Sequence, residues 1–330
     1  MEGTTSQRSS ASRREEPVTL DLVIPFLDEE AVLPVLLDAL RETFAPAACA
    51  EHGLLGVRCV FVDDGSRDGS VDLLREAQGG SLGIEVVRLS RNFGHQAAVT
   101  AGLAHSTAHL VVVMDADLQD PPACVLDLLA AYRGGADVVH AQRRNRQESL
   151  LLRFGYAAFY RVYGLLSSIE VPRDCGDFCL LTRRVVDELN RLPEKVRFNR
   201  GLRSWVGFEQ AVVPYDRPAR AKGESRYGWL DLYRLATDGI TSLSLRPLQL
   251  AQFMSIVFLL ASLLLLGASI LRVFDVTNLD LLLIVVVASN SVVLFCLYLL
   301  GSYVGRAYLE VKGRPTYVVA EVFESRSDDR

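Results

Sequence analysis

The chain has 330 residues, half of them hydrophobic, and a formal charge of −5 from 35 Lys and Arg against 40 Asp and Glu. That length suits one α/β domain plus an appendix, and the acidic balance argues against a nucleic-acid binder, whose domains are usually basic. Six cysteines, none in a Cys-x-x-Cys pair, fit a reduced compartment with isolated buried thiols.

Residues 1–17 are polar, rich in Ser and Arg, and lack the apolar core of a signal peptide, so a disordered tail is expected. From 18 to 228 short apolar runs alternate with helical patterns. Thr19–Pro25, Val57–Asp63, Ile84–Leu89 and His109–Asp115 read as strands, and Glu29–Phe44, Gly69–Ala77, Gly94–Ser106 and Ala123–Arg133 as helices. Leu110–Met114 is apolar throughout, as in a strand covered on both faces of a parallel sheet. The alternation predicts a doubly wound α/β domain with a mostly parallel sheet, whose ligands bind beyond the carboxyl ends of the strands.

The last third changes character. Trp229, Leu232, Tyr233, Ala236, Ile240 and Leu243 recur at helical spacing, so residues 229–246 read as an amphipathic helix at a membrane surface or on the domain. Pro247–Leu271 and Leu281–Gly305 carry no charge, and each exceeds the roughly 20 residues a helix needs to cross a bilayer. The short link Arg272–Asp280 makes residues 247–305 a two-helix transmembrane hairpin. Arg246, Arg306, Lys312 and Arg314 flank its ends while the link carries only Arg272, so the α/β domain and the tail 306–330 are expected on the cytoplasmic side of the inner membrane.

Four strings carry chemistry. In Asp115-Ala116-Asp117-Leu118-Gln119-Asp120-Pro121-Pro122, two carboxylates one residue apart and a neutral amide oxygen end a buried strand. Hard oxygen ligands of this kind select Mg²⁺ or Mn²⁺, ions that bridge to substrate phosphates. Val62-Asp63-Asp64-Gly65-Ser66 places an acid where it accepts from a base or ribose, or else simply shapes a turn. Asp28, in Pro25-Phe26-Leu27-Asp28-Glu29-Glu30, either caps the next helix or faces a nucleotide. In Ser90-Arg91-Asn92-Phe93-Gly94-His95-Gln96, Gly94 opens a helix whose N–H groups suit a phosphate, and His95 reads as a pocket wall more readily than as a base. Between Arg197 and Arg226, seven basic residues against three acids suit an anion.

Together with DCGDF at Asp174–Phe178, RGLRSWVGF at Arg200–Phe208 and GESRY at Gly223–Tyr227, these strings resemble the family 2 glycosyltransferases, in their dolichol-phosphate-mannose-synthase-like branch. The resemblance runs from about Thr19 to Gly305, and the two apolar spans are similar to those of bacterial polyprenyl-phosphate glycosyltransferases. It implies a GT-A catalytic domain. By matching position it implies nucleotide contacts at Pro25, Glu30, Asp63, Asp115 and Ala116. The metal would be held by Asp115, Asp117 and Gln119, and the donor phosphates by Arg200, Ser225 and Arg226. The acceptor phosphate would meet Arg143 and Arg153 on a closing loop, and the active centre would include Asp177 and Asp117. It also implies a nucleotide sugar and a polyprenyl phosphate as partners, a membrane setting and a homo-oligomer. Asp28 stands where the family commonly has Asn, and Cys175 where a small residue is common, which leaves the sugar open.

A phosphate monoester, with a second pKa of about 6, is already anionic at neutral pH. An acceptor of that kind needs positioning by Arg more than a base. The expected reaction is a single inverting displacement that yields a polyprenyl-phosphate sugar, with a UDP-sugar, glucose first, as donor. GDP-mannose is the alternative donor and a non-catalytic nucleotide-sugar-binding membrane protein the alternative class. A processive synthase lacks support, because Leu202-Arg203-Ser204-Trp205 does not match a Gln-x-x-Arg-Trp string.

Overall fold

The computed structural model describes residues 16–77, 82–144, 172, 175–216, 246–270 and 279–324. These fall into two compact units, an α/β unit that includes the residues from Pro315 onward and a helical unit that ends at Arg314.

Eight strands form the sheet of the first unit: β1 (Val18–Phe26), β2 (Leu54–Asp63), β3 (Gly83–Leu89), β4 (Leu110–Val113), β5 (Val138–Arg144), β6 (Cys175–Thr182), β7 (Gln210–Asp216) and β8 (Val319–Glu324). Their order is β7-β5-β6-β4-β1-β2-β3-β8. The β1–β2, β1–β4, β2–β3 and β5–β7 pairings are parallel, whereas β6 runs against β4 and β5, and β8 against β3. The sheet is mostly parallel, as the alternating pattern predicts.

The helices follow from their apolar spacing. In α1 (Leu33–Thr43), Leu33, Leu36, Leu37 and Leu40 form one buried stripe, and α5 (Cys124–Arg133) repeats it with Val125, Leu128, Leu129 and Tyr132. Both stripes join a core with Leu22 and Ile24 of β1 and Phe61 of β2. The opposite face, where Val23 points, is covered by α4 (His95–His105). A Cβ at Gly102 would lie inside van der Waals contact of Val23 Cγ1 and 3.1 Å from Val62 Cγ2, so glycine lets α4 lie on the strands. The short helices α2 (Pro46–Glu51) and α3 (Ser70–Glu76) precede β2 and β3. Helices α6 (Arg183–Arg191) and α7 (Asn199–Trp205) follow β6.

The helical unit contains α8 (Arg246–Ile270) and α9 (Leu279–Val311). Within α9, Ala288–Val311 is long and apolar enough to cross a membrane and is almost entirely unburied by the protein itself. In α8 the described apolar run is shorter, Ala251–Ala261, so among the described residues one span of the expected hairpin meets that length. Two differences from the sequence reading lie here. Helix α9 continues past Gly305 to Val311, and the segment expected as a tail supplies β8 to the sheet. The reason is the unpaired edge of β3. Val319, Val322 and Phe323 suit a strand, Ser90 N donates to Val318 O at 2.9 Å, and Arg75 lies 4.7 Å above the Phe323 ring and 3.3 Å from Glu321.

One ionic network ties β1, β2 and β3 together. Arg58 donates from Nε and a terminal nitrogen to Asp21 at 3.0 and 2.7 Å, and from the other terminal nitrogen to Glu85 at 2.6 Å. Asp21 also accepts from the N–H groups of Thr107 and Ala108. Burial would raise the Asp21 pKa, but the Arg58 bond and these backbone donors outweigh it and hold the carboxyl below its ordinary value. Removing Arg58 takes the guanidinium from two nearly buried carboxylates, leaving Asp21 with backbone N–H groups and Glu85 with His105 Nδ1 at 3.1 Å. Arg58→Ala is therefore expected to destabilise the fold by about 3 kcal/mol at neutral pH in denaturant titrations. Since a depressed carboxyl stabilises above its unfolded pKa and loses that contribution as pH falls through its folded pKa, the gap between wild type and variant should narrow in acid. An unchanged midpoint at pH 7 would contradict this assignment.

Candidate active site

The chemistry-bearing residues gather at the edge formed by the carboxyl ends of β1, β2 and β4. Two loops there are laced by carboxylates and hydroxyls. Asp28 N donates to Ser66 Oγ at 2.9 Å, and Arg67 N to Asp28 Oδ1 at 2.8 Å. Glu29 N donates to Ser70 Oγ, Glu30 N to Asp68 Oδ2, and Gly69 N to Glu30 Oε2 at 2.9 Å. Asp28, at φ +54°, does not cap α1, whose N-cap is Val32. Glu30 is exposed, and its carboxylate serves the neighbouring loop. Pro25 is buried within β1, in register with Val62.

Asp63 ends β2 fully buried. Its Oδ1 accepts from Ser66 N at 2.7 Å. Its Oδ2 lies 3.3 Å from Arg88 Nε, outside hydrogen-bonding geometry, and has no hydrogen-bond partner among the described residues. A buried acceptor without a donor is costly unless a ligand supplies one.

The adjacent Asp64 positions the next loop. It accepts from Phe93 N at 2.7 Å and from Gly94 N at 2.9 Å. Gly94, at φ +98°, is the N-cap of α4 and delivers His95 to the site. Burial raises the Asp64 pKa against the opposing backbone bonds.

Asp177, near the start of β6, is the hub. Arg200 donates from Nε and a terminal nitrogen to its two oxygens, both at 3.0 Å. His95 Nε2 lies 3.1 Å from Asp177 Oδ2 and 3.9 Å from Asp115 Oδ1, and Gln96 Nε2 donates to Asp177 at 3.4 Å. Arg203, buried on α7, donates to the carbonyls of Gly176 and Asp177, each at 2.8 Å, and so pins the strand that carries the acid. Burial would raise the Asp177 pKa, but Arg200 and His95 hold it well below the ordinary carboxylate value. Burial would lower that of His95, but the bond and charge of Asp177 and the charge of Asp115 push it up to about 9. At neutral pH the cluster is thus an anion held between a guanidinium and an imidazolium. Arg200, expected on the donor phosphates, pairs with Asp177 at this same edge.

The turn after β4 carries Asp115, Ala116, Asp117 and Gln119. Leu118 sits at φ +60°, Gln119 N donates to Asp117 Oδ1 at 3.1 Å, and Asp115 N to Asp120 Oδ2 at 3.3 Å. Ala116 is buried beneath the turn. Burial, with Asp177 and Asp117 repelling, raises the Asp115 pKa against the pull of His95 and Arg200. No three His, Cys, Asp or Glu side chains converge on a metal position among the described residues. Two carboxylates and a glutamine oxygen nevertheless fit a hard divalent cation that completes its shell with water and substrate phosphate, and a cation would relieve the repulsion at Asp115.

Arg143, at the end of β5, lies against Gly176, where an added Cβ would fall 2.9 Å from its guanidinium. It stands opposite Tyr215 in the β5–β7 register and acts electrostatically on its hydroxyl. The structure therefore brings Asp63, Asp115, Asp117, Gln119, Arg143, Asp177 and Arg200 to one edge. Arg153, Ser225 and Arg226 lie outside the described residues, as does the amphipathic stripe from Trp229 to Leu243. Sequence reasoning gave no role to Arg203, Asp64, Asp120 or Tyr215 and kept His95 as a wall. The SRNFGHQ string signalled His95; nothing in the sequence marked Tyr215.

A family model, glycosyl transferase family 2, matches residues 21–189. The glycosyltransferase YkcC of Bacillus subtilis is 36% identical over 93% of this chain and 94% of its own length. The SfII prophage-derived bactoprenol glucosyl transferase of Shigella flexneri is 34% identical over 91% of this chain and 97% of its own. Among solved structures, glucosyl-3-phosphoglycerate synthase of Mycobacterium tuberculosis in complex with Mn²⁺, UDP and glucosyl-3-phosphoglycerate is 18% identical, with a TM-score of 0.45, covering 70% of this chain and 80% of that one.

A His pKa raised from 6.5 to about 9 stabilises the fold fully below 6.5 and loses that contribution as pH rises through 9. In metal-free protein the difference in Tm between wild type and His95→Gln should be largest near pH 6 and shrink toward pH 9.5. A difference that grows with pH would contradict the imidazolium assignment.

Proposed function

The chain belongs to glycosyl transferase family 2, and from that premise we propose that this glycosyltransferase moves glucose from UDP-glucose to a polyprenyl phosphate. The observation that carries the reading is the state of Asp177. Arg200 donates to both of its oxygens and His95 Nε2 lies 3.1 Å from one of them, which makes the carboxylate a poor base, so the site suits an acceptor that arrives already ionised. A phosphate monoester does, with its second pKa of about 6. The strong similarity to a bactoprenol glucosyl transferase over nearly the full chain supports the same acceptor class and sugar.

In this mechanism Asp63 Oδ2, which has no hydrogen-bond partner among the described residues, receives an N–H of the base. Pro25, Ala116 and Glu30 border the nucleotide. Asp115, Asp117 and Gln119 would hold Mg²⁺ or Mn²⁺, which would supply positive charge to neutralise the leaving nucleoside diphosphate. Arg143 orients the acceptor phosphate with the bidentate geometry that guanidinium offers, joined by Arg153. Arg226 and Ser225 attend the donor phosphates. The acceptor oxygen forms its bond to the anomeric carbon as the bond to the diphosphate breaks, with inversion. Asp177 stays ionised throughout and keeps Arg200 and His95 in place.

The apolar span Ala288–Val311 supports a membrane-anchored enzyme. We read α8 as its second span, the inner membrane as its location and the cytoplasm as the side of the catalytic unit, from the basic residues that flank the hairpin. The isoprenoid acceptor then meets the enzyme at headgroup level.

The test is transfer by full-length protein in liposomes holding polyprenyl phosphate, offered radiolabelled UDP-glucose, UDP-galactose and GDP-mannose in turn, with Mn²⁺ and then EDTA. A labelled lipid from UDP-glucose that disappears with EDTA is expected. A labelled lipid from GDP-mannose instead would replace glucose by mannose, and no lipid product from any donor, with nucleotide binding intact, would overturn the acceptor assignment.

A further inference from the structure

One buried contact joins elements 95 residues apart and has no place in the mechanism above: Tyr215 Oη, on the edge strand β7, donates to Asp120 Oδ1 at 2.7 Å. The other oxygen of Asp120 accepts from Asp115 N at 3.3 Å. The acid thus lies beneath the turn that carries Asp115, Asp117 and Gln119. Both partners are inside the fold, Asp120 at 1% and Tyr215 at 5% exposure. The Tyr215 ring is fixed edge-on against Phe178, one residue from Asp177, with centroids 5.4 Å apart and planes at 88°. Burial raises the pKa of the same hydroxyl, and Arg143, opposite Tyr215 in the β5–β7 register, acts to lower it; Arg143 also lies over Gly176. A single phenol therefore sits between the turn on the donor side and the arginine on the acceptor side.

We propose that Tyr215 and Asp120 are a positioning pair for the transfer reaction. Asp120 fixes the turn so that its carboxylates share one divalent cation, and Tyr215 sets Arg143 in register with that turn. Two features of the turn make such support necessary. Leu118 adopts a left-handed conformation that a branched-side-chain residue holds only when its surroundings impose it, and no side chain caps α5 on its N-terminal side, so the turn is not anchored through that cap. Tyr215 occurs outside every motif string, on a strand that also contains Pro214. It reaches the site because β7 pairs in parallel with β5, with Tyr215 opposite Arg143 in register. The proposal rests on the metal and acceptor roles given above.

Tyr215→Phe removes the hydroxyl and keeps the ring against Phe178, and Asp120→Asn keeps the shape of the acid. Full-length protein in detergent would be titrated with Mn²⁺, with free ion read by electron paramagnetic resonance, and the KM for polyprenyl phosphate measured in parallel with the melting temperature. Losing an outer partner of a metal site weakens affinity on the order of 10- to 100-fold. Each variant is expected to bind Mn²⁺ about 10-fold more weakly, Tyr215→Phe also to raise the KM for the lipid, and the double variant to match the worse single one, because the pair acts as a unit. Wild-type affinity and KM in both folded variants, or a lower melting temperature with both constants unchanged, would overturn the pairing alone. Wild-type protein that binds no Mn²⁺ would overturn the metal assignment and this proposal with it.

Discussion

A carboxylate taken out of water has to be paired, and the site is arranged around the pairing of Asp177. Its two oxygens take a two-pronged guanidinium from Arg200, a ring nitrogen of His95 and the amide of Gln96. Three elements are drawn together by that one anion: β6, which carries it, α4, which brings His95 and Gln96, and α7, which brings Arg200. Arg203 on the same helix binds the backbone on either side of the acid. The arrangement explains why α4 has to lie so close to the sheet that position 102 admits only glycine, and why Asp64 holds Gly94 in a conformation that aims the helix start at the site. Move α4 outward and His95 loses both Asp177 and Asp115.

The same cluster sets limits on the chemistry. An acid that is already balanced by two cations is a poor proton acceptor, so the site suits an acceptor that brings its own negative charge. Other acids of this edge serve structure: Asp68 and Glu30 accept from loop N–H groups, and Asp120 from Asp115 N and Tyr215. Asp63 differs, because one of its oxygens is buried with no hydrogen-bond partner among the described residues. That oxygen, with Arg88 Nε 3.3 Å away, lies at the carboxyl edge of a parallel sheet, where folds of this type bind their ligands.

Much of this was legible in the sequence where local pattern and chemistry coincide. The first four strands and four of the helices are found within a few residues of their apolar runs, Asp63 ends β2 and Asp115 follows β4 by two residues, because a buried parallel strand leaves a nearly unbroken apolar signature. The later strands were hidden for identifiable reasons. β5 ends in Gln142-Arg143-Arg144, which reads as a surface segment. β7 contains Pro214, tolerated because β7 is an edge strand. β8 follows the apolar helices and joins the sheet by a pairing that no local pattern encodes. Side-chain partners were the least legible. Arg200 carries the right charge for a phosphate, and only the tertiary fold brings it onto Asp177; Tyr215 gives no signal at all until β7 is seen beside β5.

The most direct test of the central claim is the pH dependence of kcat/KM for sugar transfer to polyprenyl phosphate, from pH 5 to 9, in wild type and in Asp177→Asn. If Asp177 is a permanently ionised anchor, both proteins should show an acid limb near the second ionisation of the acceptor phosphate, about 6, with the variant displaced to lower rate at every pH. An acid limb present in wild type and absent in Asp177→Asn would show that the carboxylate itself titrates during turnover, and would contradict its role as an ion-paired anchor.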